Sequence, residues 1–316
     1  MIYRITQKLF RLGFKLFFRQ VHIAGLENIP EHGPVLLVAN HPNAFLDALL
    51  VASPLKRSTY FLARGDAFKF KPLAWLIRAY HVLPVYRISE GKENLDKNFE
   101  TFDACQQIFN RNKMILIFGE GLCENNWELR VMKKGPARII KNAWQTEGTT
   151  AHTKVVPVGI TYEHFKGSGK SVVIRYGKPI AREQFKGVLD TPNFMREFSQ
   201  TLYDALLPLC VHHPNIKPET PEHGGLVQRW LKAEQQQADL LTILQQQNVH
   251  PHPHVHHYKS FYHSSKFALP HFWFMEKISW MFTRNTVFFD SVFFILLTLF
   301  LPIYLFSLLA LLYFLM

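Results

Sequence analysis

Residues 35–47 read Val35-Leu36-Leu37-Val38-Ala39-Asn40-His41-Pro42-Asn43-Ala44-Phe45-Leu46-Asp47. Five apolar residues in succession, with no polar residue between them, make a short strand buried on both faces. Asn40 to Asn43 break that run with turn-forming residues, and the apolar residues after them open a helix. Further short apolar or β-branched runs lie at Thr59–Ala63, His81–Tyr86, Met114–Phe118, Val155–Ile160 and Ser171–Tyr176. Helical stretches separate them, among them Asn94–Phe109 and Met132–Trp144. This alternation predicts an α/β domain over residues 21–210, with a mixed, largely parallel sheet flanked by helices.

The whole chain has 316 residues, enough for a large core. Its 48% hydrophobic content and three cysteines exclude extended disorder, collagen and a disulfide-stapled miniprotein. Cys105, Cys123 and Cys210 are odd in number and far apart, as thiols in a reducing compartment are. Thirty-six Lys and Arg against 24 Asp and Glu leave a net charge of +12, which implies an anionic partner. Mean hydropathy is near zero, at −0.03, but that average joins unlike regions.

Ser291 to Met316 contains 26 residues and no charge. A helix needs roughly 20 residues to cross the hydrocarbon core, so residues 291–316 are predicted to be a transmembrane segment, kinked at Pro302. Ending without a polar flank, it reads as part of a larger hydrophobic region. Lys277 and Arg284 before it place that end on the cytoplasmic side. At the other end, Arg4, Lys8, Arg11, Lys15 and Arg19 recur at helical spacing among Ile, Leu and Phe. Residues 1–20 are therefore expected to form a basic amphipathic helix at the membrane interface, with its Phe residues in lipid and its cations towards headgroups. Residues 211–290 hold a Gln-rich polar helix over 222–248 and a Pro- and His-rich linker at 250–257.

Active sites of open α/β sheets gather beyond the carboxyl ends of strands, which is where His41 falls. A histidine held by a carboxylate can take a proton from a hydroxyl at neutral pH, and Asp47 is the candidate partner. Six positions on a regular helix would splay the two side chains, so His41 is expected in the loop, with the chain turning through Pro42-Asn43. A second strand, Met114–Phe118, runs into Gly119-Glu120-Gly121. Those glycines would let backbone N–H groups approach an oxyanion, while Glu120 binds a hydroxyl or orients a base. Pro84-Val85-Tyr86-Arg87 brings an arginine to another strand end, and Pro157 in Val155–Gly159 suits an edge or a bulge.

Other signals are weaker. Gly167-Ser168-Gly169-Lys170-Ser171 lacks the first glycine of a phosphate loop and reads as a hairpin turn. The histidines at 250–257 have no zinc-like spacing, and Cys123 reads as a buried thiol. Neither a metal nor a cofactor is called for, and no nucleic-acid-binding motif accompanies the charge.

Four blocks in order carry a family resemblance: Asn40-His41 with Asp47, Val82–Arg87, Phe118–Gly121 and Val155–Gly159. Across roughly residues 20–210 the chain resembles the glycerolipid acyltransferase family, of the 1-acylglycerol-3-phosphate and glycerol-3-phosphate acyltransferase type. Leu26–Pro30 and Gly33-Pro34 resemble that family's lead-in, and Lys133-Lys134-Gly135 its basic segment after the third block. The chain departs from the pattern in three places. Five residues rather than four separate His41 from Asp47, Gly119 stands where proline is expected, and Leu122-Cys123 replaces Ser/Thr-Arg.

The resemblance implies that His41 is the general base and that Asp47 orients it. It implies that Asn40, Arg64, Arg87, Glu120 and Gly121 bind substrate, the arginines holding a phosphate. The implied partners are acyl-CoA or acyl-carrier protein, lysophosphatidate or glycerol-3-phosphate, and membrane lipids. Alternatives are an acyltransferase for another lyso-lipid, such as an aminolipid, and a non-catalytic membrane tether whose His-rich linker binds metal.

Overall fold

Alternate residues of the Val35–Ala39 strand enter two different cores. Val35, Leu37 and Ala39 lie in one apolar cluster, while Leu36 and Val38 lie in the other. The neighbouring strand repeats the division, with Met114 and Leu116 on one face and Ile115 and Ile117 on the other. Successive strand side chains point to opposite faces, so a sheet covered on both sides needs uninterrupted apolar runs. A computed structural model describes residues 2–68, 80–86, 97–212, 255–257, 269–283, 288 and 290–300.

Among the described residues the strands are β1 (Gln20–Ala24), β2 (Val35–Ala39), β3 (Thr59–Arg64), β4 (Val82–Val85), β5 (Met114–Phe118), β6 (Lys154–Tyr162), β7 (Ser171–Tyr176) and β8 (Val255–His257). They form one sheet in the order β4-β3-β5-β2-β6-β7-β1-β8. Strands β4, β3, β5, β2 and β6 run parallel, as do β7 and β1. The β6–β7 and β1–β8 pairs are antiparallel. The sheet is thus mixed and largely parallel, as predicted. Helices α1 (Ile2–Phe17) and α2 (Ala44–Ala52) and residues 290–300 pack on one face. Helices α3 (Lys97–Asn110), α4 (Lys134–Gln145) and α5 (Phe194–Leu206) cover the other. Helix α6 spans Leu269–Thr283.

Several expectations change. The lipid-facing assignment of the N-terminal aromatics is overturned, since Phe14, Phe17 and Phe18 are buried. Phe14 stacks on Phe294 at 4.8 Å, and Phe17 meets Phe293 edge-on at 5.4 Å. Two of the cations also bind protein rather than headgroups. Arg11 Nε donates to Ser53 O at 2.8 Å, and Arg19 pairs with Glu163 at 2.6 Å. A helix this apolar on one side finds the nearest dry surface, which here is the protein's own sheet. Gln20, assigned to the helix, instead begins β1.

The His-rich stretch is not wholly a linker, because residues 255–257 pair with β1 as the edge strand β8. The Gln-rich helix expected at 222–248 lies outside the described residues. So do residues 301–316 of the expected transmembrane segment, and among the described residues no helix is long and apolar enough to cross a membrane. Residues 290–300 are helical, with Phe293, Phe294 and Leu297 buried against α1 and the sheet.

Pro157 is not on an edge, because β6 lies between β2 and β7. The ladder with β7 begins at Val158↔Tyr176, and an isolated bridge joins Val155 to Ile180. Residues 156–157 therefore oppose the longer stretch 177–179. The proline sits in that bulge, where its missing N–H interrupts no regular ladder.

Candidate active site

Because β2, β3, β4, β5 and β6 run parallel, their carboxyl ends share one side of the sheet. The site begins where β2 ends. Asn40 is clamped to β6 by its side chain: Nδ2 donates to Ile160 O at 2.9 Å, and Oδ1 accepts from Ile160 N at 2.7 Å. This amide prolongs the β2–β6 ladder by one side-chain pair. The substrate-binding role expected of Asn40 gives way to this structural one, since one N–H and the carbonyl oxygen of its buried amide are tied to β6.

His41 follows in the loop, and α2 starts only at Ala44. Ala44 has φ 47°, left-handed backbone that a residue with a side chain adopts infrequently, and its N–H donates to Cys123 Sγ at 2.8 Å. The turn carries His41 back over the first helical turn, so His41 Nδ1 meets Asp47 Oδ2 at 2.9 Å. An ionised carboxylate only accepts, so Nδ1 carries the hydrogen and Nε2 keeps the lone pair. The His41 side chain is 18% exposed while that of Asp47 is sealed at 0%. The ring is fixed from one side by Phe118, stacked at 3.7 Å between centroids.

Asp47 has two further partners. Its Oδ2 accepts the Asn43 N–H at 2.7 Å, and its Oδ1 accepts the Tyr162 hydroxyl at 2.7 Å. Burial first, and then the Asp47 charge, push the Tyr162 hydroxyl well above the ordinary range, so it stays a donor. With fixed donors on both oxygens, the carboxylate can face only one way towards the imidazole.

The second loop is built differently from its expected form. Gly119 N–H donates to Ala39 O at 2.9 Å, and Gly121 N–H donates to Phe118 O at 3.3 Å. These two amides are thus engaged and do not serve an oxyanion. The first bond explains why glycine works where the family pattern has proline, which has no N–H to give. Glycine also fits the space, since a Cβ at 119 would lie 2.5 Å from Met132 Sδ and 3.0 Å from Val38 Cγ1 and would need those side chains to shift. Gly121 has φ 70°, the left-handed turn that glycine tolerates.

Glu120 is buried and fully engaged. Its Oε2 accepts from His41 N at 3.1 Å and from an Arg130 guanidinium nitrogen at 2.6 Å, and its Oε1 accepts from Arg130 N at 3.1 Å. Glu120 therefore ties the His41 backbone to Arg130, and the hydroxyl-binding expectation is corrected to that anchoring. Arg64 is exposed at the carboxyl end of β3, on the same side of the sheet as His41. Arg87 lies outside the described residues. Sequence reading missed Tyr162, Arg130, Asn43 and Phe118 as parts of this site. Phe118 opens the third block and Tyr162 ends β6, the strand of the fourth block, but no spacing rule connects Arg130 or Asn43 to the site.

His41, Asp47 and Cys123 each offer a donor atom within 4.8 Å of the others. Both Asp47 oxygens already accept hydrogen bonds, and burial, reinforced by the Asp47 charge, raises the Cys123 thiol and keeps it protonated. This donor set fits a hydrogen-bonded dyad better than a metal centre.

A sealed carboxylate, a partly exposed histidine and a glycine-flanked turn at the carboxyl ends of an α/β sheet make an arrangement with the geometry to activate a hydroxyl. Residues 20–161 match the family model described as Acyltransferase. That match, with the relatives named next, supports a glycerolipid acyltransferase family for this domain. The chain is 31% identical over 114 residues to glycerol-3-phosphate O-acyltransferase 2 of Saccharomyces cerevisiae, covering 32% of this chain and 15% of the relative. It is 26% identical over 154 residues to the chloroplastic 1-acyl-sn-glycerol-3-phosphate acyltransferase of Arabidopsis thaliana, covering 48% and 38%. The matches thus span well under half of either curated relative. The crystal structure of the 1-acyl-sn-glycerophosphate acyltransferase from Thermotoga maritima aligns with a TM-score of 0.43 at 17% identity, over 64% of this chain and 80% of that one.

Proposed function

We propose that the protein transfers a fatty acyl group from an acyl thioester, acyl-CoA or acyl-carrier protein, to a hydroxyl of lysophosphatidate or glycerol-3-phosphate. The observation that carries this reading is the His41–Asp47 pair, with Nδ1 held at 2.9 Å by a sealed carboxylate and the ring partly open to solvent. In this mechanism Nε2 takes the proton of the acceptor hydroxyl as its oxygen attacks the thioester carbonyl. Asp47 stabilises the resulting imidazolium. The tetrahedral oxyanion collapses, the C–S bond breaks, and the thiolate leaves and recovers the proton from His41. No acyl-enzyme forms and no cofactor is consumed.

Arg64, with Arg87, would receive the acceptor phosphate, a task suited to a guanidinium because it can bind two oxygens at once. The protein would work at the cytoplasmic face of a membrane. Exposed Phe274, Trp280, Met281, Phe288, Leu299 and Phe300 on α6 and the segment after it support a lipid-facing surface there.

The test is thiol release by detergent-purified protein supplied with acyl-CoA and lysophosphatidate. Wild type should release thiol in proportion to acylated product, and His41→Ala should lower kcat by about 10³-fold or more. Unchanged release in the variant would overturn the assigned base. Acylation of an aminolipid but of no phosphorylated acceptor would overturn the acceptor class.

A further inference from the structure

Helix α2, which carries Asp47, has no side-chain cap of its own. Its first N–H groups nonetheless need acceptors. Leu46 N–H donates to Ser291 Oγ at 3.1 Å, and the same hydroxyl donates to Asn43 O at 3.4 Å. The cap of the catalytic helix therefore comes from a residue 245 positions away in the chain.

The preceding residue completes the arrangement. Asp290 Oδ2 accepts from Asn43 Nδ2 at 3.0 Å, and its Oδ1 accepts from Gly167 N at 2.8 Å. It also pairs with Lys170 Nζ, whose remaining bond goes to Phe165 O at 2.8 Å. Asn43, Asp290, Ser291 and Lys170 are all buried. Asn43 is the hinge of this network. Its side chain is held by Asp290 while its backbone N–H holds Asp47 Oδ2, the oxygen bound to His41 Nδ1.

We propose that Asp290 and Ser291 are positioning residues for the acyl-transfer reaction, acting through Asn43 and the first turn of α2 to hold Asp47 against His41. The C-terminal segment is then part of the active site's support rather than only an attachment, and the site is incomplete without it. This inference rests on the acyltransferase reading for its rate prediction.

A purely structural staple makes a different prediction, because stability and rate can be separated. Removing Asp290 alone would leave the buried Lys170 ammonium without its direct ion-pair partner, which is destabilising in itself. The double variant Lys170→Met/Asp290→Val removes both charges with little change in total volume, a change that buried pairs often tolerate, while depriving Asn43 of its anchor. With Tm near the wild-type value, the proposal expects kcat to fall roughly 10- to 100-fold with acceptor KM within about twofold. Ser291→Ala should also lower kcat, and Ser291→Thr, which keeps the hydroxyl, should restore it.

The imidazole NMR titration of His41, assigned by its loss in His41→Ala, should move in the double variant. That readout holds whether or not lysophosphatidate is the acceptor, so inactivity of wild type would count against the proposed activity and not against positioning. A double variant with wild-type Tm, His41 titration and kcat would overturn the proposal. So would Ser291→Ala and Ser291→Thr behaving alike. If the double variant does not fold, the Ser291 pair alone decides.

Discussion

Two buried carboxylates stand beyond neighbouring strands of this sheet and have opposite fates. Asp47, after β2, is held by a tyrosine hydroxyl, a backbone amide and an imidazole. Glu120, after β5, is held by two backbone amides and a guanidinium. Burial is alike, at 0% for Asp47 and 4% for Glu120, so the partners make the difference. A guanidinium keeps its charge at any working pH, so the Glu120 pair is static. An imidazole gains and loses its charge within the neutral range, so the Asp47 pair can follow a proton through a reaction. In the proposed reaction Asp47 serves the chemistry, while Glu120 holds the loop that carries His41.

Asp47→Asn probes this contrast most strongly. It should lower kcat by about 10³-fold, because an amide can present its N–H to Nδ1 and favour the wrong tautomer. Tm should change little, since an amide oxygen still accepts from Asn43 or Tyr162. Steady-state kinetics beside thermal denaturation measures both. Glu120→Gln should behave in reverse, costing about 1–3 kcal/mol of stability by leaving the Arg130 charge poorly matched. Its kcat, measured well below Tm, should stay within about tenfold of wild type, as expected for a residue that does not touch the reacting atoms. Equal losses of rate in the two variants would break the comparison.

Tyr162→Phe is the smallest change and sharpens the Asp47 side. Loss of one donor to Asp47 should cost about 1–2 kcal/mol at neutral pH. The pH dependence has a definite sign. The folded-state pKa of Tyr162 is raised, so its contribution is fully present below the unfolded value of about 10 and declines as pH rises above it. The variant has no such decline. Its deficit, measured by urea unfolding at pH 8 and again above pH 10, should narrow at the higher pH.

The parallel core of the fold was legible because its strands are sealed on both faces. Val35–Ala39, Met114–Phe118 and Ser171–Tyr176 were read with the bounds that β2, β5 and β7 have. β1 and β8 escaped notice for the same physical reason. Gln20-Val21-His22-Ile23-Ala24 and Val255-His256-His257 carry polar residues, and their places in the sheet come from pairing with β7 and with each other. The aromatic N-terminal helix was misjudged because apolar periodicity reveals that a face is covered and not what covers it.

Sequence by itself determined the α/β class, the two loops to which the proposed chemistry is assigned, and the need for His41 to sit outside the helix that carries Asp47. These follow from local rules: apolar runs, turn residues and the angular period of a helix. Tertiary structure alone decided which side chains stayed available. It bound Asn40 to Ile160 and Glu120 to Arg130, brought Tyr162 to Asp47, and set Asp290 and Ser291 against Asn43 and Leu46. A hydrogen-bonding group has one set of partners in the fold, and residues more than a hundred positions away supply several of them here.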